Sequence, residues 1–532
     1  MPKSIKYIFS FIAILAVAFL YIYTYKEDFH ASMYYYDNAD FFKKSVESFA
    51  NVKTLSPPPH IFIVNQHILA AHVIANQFAL SADPNVKTVI LITQNNWNAG
   101  QAPIITSKYP WKTPLGNIEP DITLADKLIK NHLATQEENI FATEHGITGI
   151  VPYVAHSFPN AKIVSLVIRD YAPAEMTDSL ADELSKLDIT QTAIIGTIDM
   201  SHYLPKYIAD THDDLTVQTI KEFDYQTLPL LDIDTVPTLR TVMKVAESKG
   251  MQSFVQTWHA NSADITAQPD LLSTTSYISG YFSPGTSKKV NGDIHLLFTG
   301  NIMYDKGVAE HTQKYGANSL FANIDRLFLG THAVIGNVEG KTDKQFTEFL
   351  ANQHFTALNP STVLKIQNKN VCLISYNDLL TQNTMPIINE VKNAKNSCTY
   401  IIISANWGAE NLPTKTDRQK MLAHEFIDAG ADIIIGVHPN VVEPIEIYKN
   451  KPIFYSLGNF LVDQDISFAT KHGLALNINL GDSKNTFTLV PISIENAETQ
   501  ISSSADANKL LSAVVNDDIL NKKQFILWNN NQ

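Results

Sequence analysis

The run Asp428-Ala-Gly-Ala-Asp432, Ile433-Ile-Ile-Gly-Val437, His438-Pro-Asn440, and then Ile453-Phe-Tyr-Ser-Leu-Gly-Asn-Phe460, decides how the chain is read. A helix closing at Gly430 feeds a short apolar run, the pattern of a buried strand. The strand stops at His438-Pro439, which places an imidazole at a carboxyl end, where open α/β sheets bind ligands. A second apolar run, Ile453 to Ser456, ends in Gly458-Asn459. Taken alone, His438 serves equally well as a strand cap or as a ligand.

The block as a whole resembles the CapA family of poly-γ-glutamate capsule proteins, similar in fold to calcineurin-like metallophosphoesterases. The resemblance implies a site of carboxylates, imidazoles and an amide holding two cations about 3.5–4 Å apart to generate a hydroxide. Asn337 and Glu339 of Gly336-Asn-Val-Glu-Gly340 keep the family element, as do His438 and Asn459. Asn301 stands where the family carries Asp. Asn406, in Ala405-Asn-Trp-Gly408-x-Glu410, stands in place of histidine, and Asn440 replaces the second histidine of His-Pro-His. The resemblance implies that Ala351-Asn-Gln-His354 corresponds to the family's Ala-Asn-Asn-His segment. The implied catalytic set is His438, Glu339, Asn406 and Asn440, and the implied metal set is Asn301, Asn337, Glu339, His438 and Asn459. An amide offers a metal only a neutral oxygen, so each Asp or His lost to Asn weakens cation binding. Two readings follow. In one, the protein is a metal-dependent hydrolase acting on a cell-envelope or capsule polymer with Mn, Fe or Zn. In the other, it is a cofactor-free two-domain binding protein, a pseudoenzyme at the cell envelope.

The 532 residues exceed a single domain, and 45% hydrophobic content supports more than one core. A net charge of −13 argues against a nucleic-acid partner. Two cysteines exclude a disulfide scaffold and a cysteine zinc site, and Cys372, inside Val371-Cys-Leu-Ile374, reads as a small buried hydrophobe. Lys3 and Lys6 precede an uncharged apolar run from Tyr7 to Thr24, the pattern of an uncleaved signal anchor. The expected fold class is α/β, with one N-terminal transmembrane helix followed by two tandem α/β sandwich-type domains. The expected location is the cell membrane, single-pass, with the bulk of the chain extracytoplasmic. The expected divisions are 1–26 anchor, 27–59 stalk, 60–283 first domain, 284–292 linker, 293–500 second domain and 501–532 tail. Strands are expected at 61–64, 88–93, 162–168, 192–197 and 276–282. A second series is expected at 294–299, 333–336, 371–376, 400–404, 432–437, 453–456 and 474–480.

In the first domain, histidines recur at strand ends: His67 after Val64-Asn-Gln, His145 in Glu144-His-x-Ile147, and His202 in Asp199-x-Ser-His-Tyr203. With Val151-Pro152 and Thr274-Thr-Ser-Tyr277 they resemble the Memo family, whose fold is similar to that of class III extradiol dioxygenases. That resemblance implies a cleft lined by His67, His145, Asp199 and His202 as metal ligands. Where the family reads Pro-Asn-His, this chain reads Gln94-Asn95-Asn96.

Overall fold

The computed structural model describes residues 29–35, 39–287, 292–356, 361–464, 466–515, 519 and 525–526. The chain divides into two compact units. The first comprises residues up to Ile198 with Pro237–Lys249 and Ser279–Phe282. The second comprises Asp199–Val236, Gly250–Ile278 and everything from Ser283.

The core of the first unit is a run of four parallel strands in the order Ile61–Val64, Thr192–Thr197, Thr88–Gln94, Lys162–Ile168. Ile104–Thr106 extends it antiparallel on one side, and Gly280 and Tyr281 pair antiparallel with Ile63 and Phe62 on the other. These strands are apolar nearly throughout because both faces are covered. Phe62, Val64, Val89, Leu91 and Ile195 pack against Ile74 and Phe78 of the helix Ala71–Ser81 and Tyr153 and Val154 of the helix Val151–Ser157.

The second unit is a sandwich of two sheets. One runs Phe355–Thr356, Ala333–Glu339, Ile294–Met303, His472–Leu480, Asn485–Glu495, Glu498–Ile501, with Asn459–Leu461 added parallel to Ile294–Met303. The other runs Ser361–Ile366, Lys369–Asn377, Tyr400–Asn406, Ile433–Val437, Lys451–Phe454, Ile445–Tyr448. Side chains alternate across each strand, so Leu296, Phe298, Leu476 and Ile478 meet Val371, Leu373, Ile402 and Ile435 between the sheets. The alternate residues of the second sheet, Ile374, Ile401, Ile403 and Ile434, face Leu422 and Phe426 of the helix Asp417–Ala429. Fully burying such a Leu or Phe contributes about 1.5–3 kcal/mol. The outer face of the first sheet packs on Phe321, Phe328 and Phe346, and on Leu204 and Ile208. Asp417–Ala429 starts with a Thr416/Gln419 capping box and ends at Gly430, whose φ of 129° a side chain would strain.

Asn485–Glu495, eleven residues long, is a full member of the first sheet that the sequence reading did not anticipate. Pro491 in its middle hides it, since proline removes a ladder donor.

Two expectations are corrected. No helix among the described residues is long and apolar enough to cross a membrane. The longest of them, Lys206–Glu222, has 17 residues and carries several charges. It spans about 26 Å, short of the ~30 Å a bilayer core demands. The run Tyr7–Thr24 lies outside the described residues. The fold class is therefore mixed α/β in two units with no spanning helix among the described residues, and the single-pass membrane location is not supported. Cys372, although buried, is not merely a small hydrophobe: it is bonded to Cys398, with Cα atoms 5.9 Å apart across a sequence separation of 26. Closing a loop of that length removes unfolded-chain entropy worth about 3 kcal/mol. The Cys398→Ser variant should lose that stability in urea unfolding. An unchanged midpoint with and without reductant would show that the bond does no such work.

Candidate functional site

In the second unit the polar residues cluster at strand ends because the parallel registers align them. Asn301 pairs with Asn337 on one side and Asn459 on the other, Met303 with Glu339, and Asn377 with Asn406. A bulge between Phe298 and Asn301 shifts the register just before the site. Gly300 permits the close approach that follows, since a Cβ there would lie 2.1 Å from the Gly458 carbonyl oxygen.

Asn301 is fully buried and sits at the centre. Its Oδ1 accepts from the Asn337 amide at 3.2 Å and from the His438 backbone N–H at 3.0 Å, and its Nδ2 donates to Asn440 Oδ1 at 3.1 Å. Glu339 Oε1 accepts from Asn337 at 2.8 Å and Asn406 at 3.2 Å, and the His438 Nδ1 stands 3.7 Å away. Asn459 donates to the Thr470 carbonyl at 2.9 Å. The Glu339 carboxylate raises the His438 pKa, with Glu410 adding to the effect and partial burial opposing it. His438 and Asn440 have φ of 99° and 64°, the left-handed region that non-glycine residues enter at a cost and that clusters at functional sites.

This donor set fits a dinuclear metal centre poorly. Asn301, where the CapA resemblance implies a ligating Asp, is already hydrogen-bonded to three protein groups. The remaining ionisable donors are one carboxylate and one imidazole. Among the described residues, the group whose donor atoms are close enough to share an ion is elsewhere: Asp210, Asp213 and His259. Sequence reading missed it, because Asp210 and Asp213 look like the solvated face of a helix. There Lys206 bonds Asp210 at 2.9 Å and His259 bonds Asp213 at 2.8 Å, so both carboxylates already face a cationic partner or an imidazole. Glu443 was also missed. It is fully buried, accepts from Gln419 at 2.7 Å, and burial pushes its pKa up to about 7.

The first-unit members of the Memo-like set are His67 and His145, which lie near enough for the charge of one to depress the pKa of the other, after burial. Burial lowers the pKa of His67 as well. Asn96 does not project a free ligand, since its backbone N–H donates to Glu144 at 3.0 Å and its side-chain amide also donates to Glu144. Burial raises the pKa of Glu144. Asp199 and His202 belong to the second unit. Asp199 is buried beneath the Asp234 loop, whose backbone N–H donates to the Asp199 carbonyl at 3.1 Å. His202 has a buried Nδ1 with no partner among the described residues, and burial lowers its pKa to about 4.

Comparison with known proteins bears on both halves of the chain. Residues 26–281 match the family described as Memo-like protein, and residues 359–464 match bacterial capsule synthesis protein PGA_cap. The PGA biosynthesis protein CapA of Bacillus subtilis (strain 168) is 26% identical over 271 residues, 38% of this chain and 71% of that protein. The capsule biosynthesis protein CapA of Bacillus anthracis is 32% identical over 144 residues, 26% of this chain and only 35% of that one. A MEMO1 family protein of Sulfolobus acidocaldarius is 28% identical over 235 residues, 42% of this chain and 80% of its own.

Proposed function

Because the chain carries a Memo-like domain followed by a CapA-like, capsule-related domain, we propose that its second unit binds a cell-envelope or capsule polymer in the asparagine-lined site without hydrolysing it. The observation that carries this reading is the saturation of Asn301 by Asn337, Asn440 and the His438 backbone. A neutral, fully hydrogen-bonded amide has nothing left to offer a cation, whereas a carboxylate there would require one. The polar groups that remain can hold a hydroxyl- or amide-rich chain by hydrogen bonds. The competing reading, metal-dependent hydrolysis through Glu339 and His438 with help from Asn406 and Asn440, needs a divalent ion that this donor set holds weakly. For the first domain, the engagement of Asn96 by Glu144 points the same way, toward recognition rather than metal chemistry.

Elemental analysis decides between the two. The purified chain, soaked in manganese, iron or zinc and then desalted, should retain far less than one ion per molecule and show no phosphoesterase activity. A retained stoichiometric ion that disappears in His438→Ala, together with turnover, would replace this reading with the hydrolase one.

A further inference from the structure

The site's hydrogen-bond valences are unequal, and the inequality names the chemistry of the ligand. This deepens the polymer-binding reading above and rests on it. Two amide orientations follow from chemistry alone. A carboxylate only accepts, so the atoms of Asn337 and Asn406 facing Glu339 Oε1 are the nitrogens. A backbone carbonyl also only accepts, so the atom of Asn459 facing Thr470 is its nitrogen too. The oxygens of Asn406 and Asn459 consequently point elsewhere, and both are buried with no hydrogen-bond partner among the described residues. Asn459 as a whole is fully buried. Leaving such atoms unpaired costs about 1–3 kcal/mol each. Glu339 Oε2 likewise receives no hydrogen bond among the described residues, and the Glu339 side chain is 21% exposed. Among the described residues no lysine or arginine forms an ion pair with Glu339, whose one ionisable neighbour within 4 Å is His438. The amide nitrogens of Asn301, Asn337, Asn406 and Asn459 are each engaged with a protein oxygen. Among the described residues, the Asn440 amide nitrogen and the far nitrogen of the His438 ring are left as donors, and the other unsatisfied groups, the Asn406 and Asn459 oxygens and Glu339 Oε2, are acceptors.

We propose that this site takes a hydrogen-bond-donating, cationic chain, an amine-bearing saccharide whose ammonium meets Glu339 and whose neighbouring donors meet the Asn406 and Asn459 oxygens, and that it rejects polycarboxylates. An ammonium supplies three donors and no acceptor, matching the free oxygens in kind. A polycarboxylate would bring further acceptors and negative charge against Glu339, an arrangement that acts as repulsive discrimination.

The test is calorimetric titration of the full metal-free chain with three probes: a de-acetylated glucosamine oligomer, the same oligomer N-acetylated, and poly-γ-glutamate. Acetylation removes the charge and two donors while leaving the sugar backbone intact. The free-amine oligomer should bind at least about tenfold more tightly than the acetylated one, and Glu339→Gln should weaken it by roughly ten- to a hundredfold. Glutamine retains an oxygen for Asn337 and Asn406, so this variant should keep the wild-type melting temperature, which is measured alongside. Equal binding of the two oligomers, preference for poly-γ-glutamate, or no binding of any probe would overturn the inference. In the first two cases the binding reading would still stand. A tightly held metal ion in the same preparation would instead overturn the binding reading itself.

Discussion

The triple variant Asn301→Asp, Asn406→His and Asn440→His should bind manganese or zinc at least about a thousandfold more tightly than the natural chain. Weakening even an outer partner of a metal ligand costs 10–100-fold, and here three neutral amides become one carboxylate and two imidazoles. The new groups would stand around Glu339 and His438, because the existing hydrogen bonds already bring Asn301, Asn406 and Asn440 to them. The variant carries its own internal check. The carboxylate introduced at position 301 would be fully buried, in the place where the natural amide donates to Asn440 Oδ1 at 3.1 Å. Without metal the variant should therefore melt below the wild type, and saturating manganese should restore the difference, since a ligand that binds only the folded state stabilises it by mass action. Calorimetric titration and thermal melts with and without the ion read both effects. A variant as indifferent to metal as the wild type would mean that the strand ends do not present these side chains to a common point.

Asp232→Ala should cost about 3–5 kcal/mol of unfolding free energy, the range for removing one partner of a buried ion pair. Asp232 is fully buried in the second unit, between the equally buried His212, whose Nδ1 lies 3.1 Å away, and Arg326, whose guanidinium bonds it at 3.1 Å. Alanine leaves the Arg326 charge without its counterion and the His212 ring with both nitrogens unsatisfied, because Nε2 already has no partner among the described residues. The neighbourhood cannot absorb the change: a Cβ on Gly330 would come within 2.3 Å of the His212 ring. Denaturant titration of the variant measures the cost. If the loss stays under about 1 kcal/mol, the ordinary value for a surface ion pair, the three groups are wetter than their burial implies. Asp232→Asn, which keeps the shape and one acceptor, should fall between the two.

Strand positions were largely readable from the chain, because both units bury their sheets and a buried strand writes itself as an apolar run. The runs at 61–64, 162–168 and 192–197 are strands with the expected bounds, and the run expected at 432–437 is a strand from Ile433 to Val437. Ser361–Ile366 and Asn485–Glu495 escaped for local reasons. The first alternates polar and apolar residues at a sheet edge and has no continuous run, and the second is interrupted by Pro491. The affinity of the chain for the Memo and CapA families was also legible, since it rests on short motifs at strand ends.

The sequence by itself therefore determined the resemblance to two families, the α/β character, and the asparagines at 301, 406 and 440 where the CapA resemblance implies acidic or imidazole groups. Only the tertiary structure decided what those asparagines do. Whether an amide is free or saturated depends on which oxygen lies within hydrogen-bond range, and Asn301 and Asn440 are brought together across 139 positions of chain. The pairing of Cys372 with Cys398, the Asp210, Asp213 and His259 cluster, and the burial of Asp232 are decided in the same way. Each depends on distances set by packing between segments remote in sequence, and local composition does not encode such distances.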